Sequence, residues 1–195
     1  MSRAAPIHPV VVRFTHWVNA LAVLIMIGSG WQIYNASPIF LFRFPIGLGG
    51  WLGGALLWHF AAMWILMVNG LLYLAYGFAS GRFLHKLLPI RPRDVVADLL
   101  AALKGKLVHA DLSVYNAVQR LLYLGVIAAL IVVTLSGLAV WKPIQLWWLT
   151  ALCAGFQGAR LVHFLAMAAI VGFLAVHIGM ALLVPKSLKA MVIGR

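Results

Sequence analysis

His163 and His177 stand fourteen residues apart in one uncharged apolar stretch between Arg160 and Pro185. Fourteen steps of roughly 100° fall about 40° short of four full turns, so both imidazoles leave nearly the same stripe of a helix, about 21 Å apart along its axis. That is about two-thirds of a ~30 Å hydrocarbon core, which puts one ring near each surface of a bilayer. Two further histidines, His16 and His59, lie in other apolar stretches. Polar rings at such depths are costly and need partners. Imidazoles stacked at two levels of one helix are placed to ligate two separate metal centres, one per leaflet.

The elements that must carry these rings follow from composition. Of 195 residues, 65% are hydrophobic and 9% charged, and the mean hydropathy of +1.04 lies far outside the range of soluble domains. The chain reads as an all-α integral membrane protein and as a single domain over 1–195. Four stretches are long and apolar enough to span, at about 14–34, 51–78, 119–141 and 160–184. The run after Arg13 is too long for a secretory signal and ends in no A-x-A-like site, so it is expected to be retained.

Fifteen Lys and Arg face only three acids, Asp94, Asp98 and Asp111. In a soluble chain that balance would point to nucleic acid; here it sets topology. Twelve cations (Arg3, Arg13, Arg82, Lys86, Arg91, Arg93, Lys104, Lys106, Arg120, Lys186, Lys189 and Arg195) fall on one side of the spans, and Arg43, Lys142 and Arg160 on the other. The positive-inside rule puts both termini and the central connection in the cytoplasm. Within that connection, Pro92–Val108 repeats Val95, Val96, Leu99, Leu100, Leu103 and Leu107 at helical spacing, which predicts a short interfacial helix. On the opposite side, Pro143–Phe156 holds Trp147, Trp148, Leu149 and Leu152, a segment that either dips into the interface or docks a partner.

With this topology His16 and His177 lie at the cytoplasmic depth, and His59 and His163 at the outer depth. Each pair supplies two axial imidazoles to one iron. Zinc is the competing metal, but it prefers four ligands, and no Asp, Glu or Cys lies at either depth. Haem needs only two. The single Cys153 and the absence of C-x-x-C-H exclude covalent c-type attachment, so two haems would be held by histidines alone. Arg13 and Arg160 each precede a ligand by three residues in an R-x-x-H-aromatic pattern, one turn nearer water, where a guanidinium either meets a propionate or simply snorkels. Gly28, Gly30, Gly70, Gly125, Gly137 and Gly172 are candidates for the close approach of a flat ring. Asn19 and Asn69 are candidates for a quinone carbonyl or for gluing helices. His8, His85 and His109 lie outside the spans; His85 and His109 are candidates for proton transfer near the cytoplasmic haem.

H16-W17, H59 and the H163-x13-H177 pair resemble the bacterial cytochrome b561 and nickel-iron hydrogenase cytochrome b group over about residues 9–185. The chain is most similar to cytochrome b subunits that accompany thiosulfate reductases and molybdopterin oxidoreductases. The resemblance implies a four-helix bundle enclosing two b-type haems, exchangeable quinone, and electron exchange with a periplasmic oxidoreductase subunit or its carrier. It also implies a runner-up, a stand-alone superoxide:ubiquinone oxidoreductase. A haem-free bundle is the third reading. Hydrogenase subunits of the group often carry an additional helix that this chain lacks.

Overall fold

A computed structural model describes residues 7–104 and 115–194. Among them there is no strand; the elements are helices α1 (Val10–Ala36), α2 (Leu52–Ala79), α3 (Arg82–Leu87), α4 (Pro92–Leu103), α5 (Ala117–Trp141), α6 (Trp147–Leu152), α7 (Phe156–Leu183) and α8 (Pro185–Ile193). α1, α2, α5 and α7 are the four long and apolar enough to cross a membrane, as expected from the sequence.

Their ends differ from the hydropathy limits for local reasons. α1 starts at Val10 because Pro9, having no N–H to orphan, serves before a first turn, and Arg13 N–H reaches the Pro9 carbonyl at 3.1 Å. α5 opens on a reciprocal capping box: Gln119 N–H donates to Asn116 Oδ1 at 2.7 Å and Asn116 N–H to Gln119 Oε1 at 3.1 Å. Gly155, at φ 91°, turns the chain into α7 four residues before Arg160. α7 stops at Leu183 because Pro185 has no N–H to continue it; the same proline is a favourable first residue for α8. The expected interfacial helix is α4, described as far as Leu103; Lys106, Leu107, His109 and Asp111 lie outside the described residues.

The chain divides into two units. The first, Pro9–Tyr76, is the α1–α2 hairpin. Small side chains, Ala22, Ser29, Ala55 and Ala62, are buried in it, and small residues let membrane helices approach closely. Buried Asn69 on α2 donates its amide to the Thr15 carbonyl at 2.7 Å and to Asn19 Oδ1 at 2.8 Å on α1. The connection after α1 is held by Asn35, which pairs with both backbone groups of Phe44, and by Tyr34, whose hydroxyl meets the Phe40 backbone.

The second unit begins at Gly77 and includes His8. Its core is α5 against α7, with α6 closing one end: Ala139, Leu149 and Ala159 are buried together. Thr150 Oγ lies 3.3 Å from the Ala139, Pro143 and Leu146 carbonyls, tying α6 to the end of α5. Leu149 points inward while Ile144, Trp147 and Leu152 are exposed, so the segment presents an apolar face. At the other end, the Arg82 guanidinium lies 3.4 Å from His8 Nδ1. Burial pushes the Tyr115 phenol above its usual range, opposed by the charge and hydrogen bond of Arg82.

Large apolar residues on all four spans, among them Leu21, Leu57, Leu71, Ile131 and Leu182, are exposed, the expected pattern where lipid is the solvent. Replacing Asn69 by Ala removes two interhelical hydrogen bonds, each worth about 0.6 kcal/mol in membrane proteins. Denaturant titration in detergent should show a loss of about 1 kcal/mol.

Candidate functional site

The first unit holds two of the span histidines. His59, on α2, has its Nδ1 3.0 Å from Ser29 Oγ on α1. Ser29 lies 2.7 Å from the Ile25 carbonyl of its own helix, so its single hydroxyl hydrogen is donated there. The oxygen is then left to accept, and the His59 hydrogen must be on Nδ1. Nε2 then keeps its lone pair, the form of the ring that suits metal ligation. A Cβ placed on Gly30, the next residue, would stand 3.5 Å from His59 Cε1, so the ring packs against bare backbone.

The second unit repeats this arrangement. His163, on α7, has its Nδ1 2.9 Å from the Val133 carbonyl and 3.4 Å from Ser136 Oγ, both on α5. A carbonyl can only accept, so this hydrogen too is on Nδ1. Ser136 donates to the Val132 carbonyl at 2.6 Å, as Ser29 does to Ile25. Gly137 follows, and a Cβ there would stand 3.0 Å from His163 Cε1, closer than nearly all real contacts. Both rings therefore carry their hydrogen on a satisfied Nδ1, the tautomer that suits metal ligation through Nε2.

The other two histidines have aromatic neighbours on their own helices. His16 meets Trp17 edge-on at 5.3 Å, and His177 stacks on Phe173 at 5.4 Å with 15° between planes. All four imidazoles are half-buried. Arg13, half-buried, is one turn before His16, and Arg160 donates to Gln157 Oε1 at 2.9 Å. Asn19 Oδ1 accepts from Asn69, so these two amides glue α1 to α2. His85 Nδ1 donates to the Gly81 carbonyl at 2.8 Å within its own turn, and His109 lies outside the described residues. Of the glycines, Gly30 and Gly137 make room for imidazoles, whereas a Cβ on Gly70, Gly125 or Gly172 would meet nothing within 4 Å.

Ser29, Ser136 and Val133 are the functional residues that sequence reasoning missed. One signal was present, since a Ser–Gly step occurs in the span before the one that carries His59 and again in the span before the one that carries His163.

A protein that holds imidazoles in this way inside four spans is built for a membrane-embedded metal cofactor. The chain matches the prokaryotic cytochrome b561 family over residues 7–194, and it belongs to that family. It is also 57% identical over 190 residues, 96% of each chain, to an Azospira oryzae protein named "Putative protein-methionine-sulfoxide reductase subunit YedZ1". Family membership makes this a multi-pass membrane cytochrome b that binds b-type haem and transfers electrons.

Because Gly137 is packed more tightly than Gly30, Gly137→Ala should displace its imidazole while Gly30→Ala is tolerated. Soret absorbance per chain is expected to fall in the first variant and stay at the parental value in the second.

Proposed function

We propose that this chain is the haem-bearing membrane subunit of an oxidoreductase, passing electrons between the quinone pool and a partner enzyme outside the cytoplasmic membrane. His16 and His177 hold one haem b at the cytoplasmic level, and His59 and His163 hold a second at the outer level. The pairing rests on the matched depths of the four residues in an orientation set by twelve cations against three. One observation supports ligation most directly: Val133 takes the His163 Nδ1 hydrogen and leaves Nε2 for iron.

Haem held by these histidines would supply outer-sphere one-electron exchange. The protein's own groups anchor and orient. α1 and α2 bring Ser29 to His59, α5 and α7 bring Ser136 and Val133 to His163, and Arg13 and Arg160 lie one turn from a ligand, where they suit propionate carboxylates. The exposed apolar face of Ile144, Trp147 and Leu152 is the docking surface for the partner.

The partner follows from the relative, whose name makes it a subunit of a methionine-sulfoxide reductase. Reducing a sulfoxide to a thioether consumes two electrons and two protons and releases water; oxidising a quinol supplies two electrons and two protons. Electrons therefore run from quinol through the subunit to the reductase, whose cofactor is of the molybdopterin class.

The test uses the full chain in mild detergent. Quinol should reduce its haem, and reoxidation should require both the partner and a protein methionine sulfoxide. Reduction by superoxide with turnover of quinone, by the chain alone, would instead assign the superoxide:quinone activity. His59→Ala and His163→Ala should remove the same haem, and His16→Ala and His177→Ala the other. Retention of two haems in any of these variants would break the pairing.

A further inference from the structure

Ser29–Gly30 and Ser136–Gly137 are the same device made twice, once in each unit. In both, a buried serine donates backward to the carbonyl four residues earlier and turns its oxygen to an imidazole on the next span. In both, a glycine follows at the Cε1 edge of that ring, where a Cβ would stand 3.0 Å away at Gly137 and in ordinary contact, 3.5 Å, at Gly30. Neither feature alone would be notable, since serine back-bonding and glycine at a helix contact are common in membranes. Their coincidence at one imidazole, repeated at the other imidazole of the proposed outer pair, is not explained by packing, because an alanine would pack as well as either serine.

We propose that the two Ser–Gly steps are matched positioning elements that lock the Nδ1–H tautomer and ring rotation of His59 and His163 and hold the outer haem at a lowered reduction potential. This rests on the proposed ligation of that haem. Donation from Nδ1–H to oxygen places electron density on the ring and makes Nε2 more basic. A more basic axial ligand favours ferric over ferrous iron, so the potential falls. The hydroxyl hydrogen is sequestered by the Ile25 and Val132 carbonyls, which prevents serine from donating to the ring and reversing the effect. A low potential at the outer level gives the electron a driving force to leave toward an acceptor outside.

The experiment is a redox titration with low-temperature electron paramagnetic resonance on the purified full chain carrying Ser29→Ala, Ser136→Ala or both. Loss of the Ser29 hydroxyl should move the outer haem's midpoint upward; loss of the Ser136 hydroxyl should move it less, because the Val133 carbonyl still accepts the His163 Nδ1 hydrogen, and the double variant should move furthest. A tenfold change in the ferric-over-ferrous preference reads as ~59 mV for one electron. The low-spin signal of the same haem should shift, while the inner haem keeps its midpoint and signal. Loss of the outer haem alone, with helix content unchanged, also supports the role. Asn116→Ala is the comparison: it removes the α5 capping box and lowers stability without touching His163, and the midpoints should stay where they were. A double serine variant with both haems present and both potentials and signals unchanged overturns the proposal. Failure of the underlying ligation reads differently, as a wild-type chain without two haems or as His59→Ala and His163→Ala removing different ones.

Discussion

An imidazole in a hydrocarbon layer carries one N–H and one lone pair, and water is not there to satisfy either. The N–H must find an acceptor within the protein, and whichever nitrogen bears it decides what the other can do. At His163 the Val133 carbonyl supplies that acceptor at 2.9 Å, and at His59 the Ser29 hydroxyl supplies it at 3.0 Å. The rest of the proposed site depends on this choice, because a hydrogen on Nδ1 leaves Nε2 with the lone pair that metal ligation uses. A helix carbonyl is normally spent on its own ladder, yet it has a second lone pair. Ser136 and His163 both approach such carbonyls of α5 without breaking the helix.

Everything else in each unit serves that geometry. Ala22, Ala55 and Ala62 let α1 and α2 come close, and Asn69 fixes their relative level by gripping both Thr15 and Asn19. In the other unit Ala139 and Ala159 close α5 onto α7, with Thr150 and Leu149 of α6 sealing the same end. Gly137 then admits the His163 ring where a side chain would crowd it, and Gly30 lies against the His59 ring with room for a methyl. Rigid small-residue contacts are well suited to electron transfer, which needs fixed cofactor ligands rather than moving parts.

Much of this was legible in the sequence, for physical reasons that also mark where reading stops. Spans of apolar residues are long signals, so α1, α2, α5 and α7 were all visible; their ends were not, since Pro9, Asn116, Gly155 and Pro185 act through local hydrogen bonds that hydropathy does not register. The four histidines stood out because they are costly where they lie. Ser29 and Ser136 did not, because a serine in a span is ordinarily satisfied by its own helix, and nothing in its spacing names the ring on the neighbouring one. Asn19 and Asn69 were seen as either quinone contacts or helix glue, and their mutual hydrogen bond supports the second. Arg13 and Arg160 stand where the R-x-x-H pattern put them, with Arg160 also bonded to Gln157, a residue the pattern omits.

The proposed pairing of two imidazoles per iron would make a six-coordinate, low-spin centre, and that is directly observable. Electron paramagnetic resonance of the oxidised, purified full chain, quantified against protein, should show two distinct low-spin ferric haems and no high-spin component. A single low-spin species, or a high-spin signal from an iron with an open position, would contradict bis-histidine ligation at both levels.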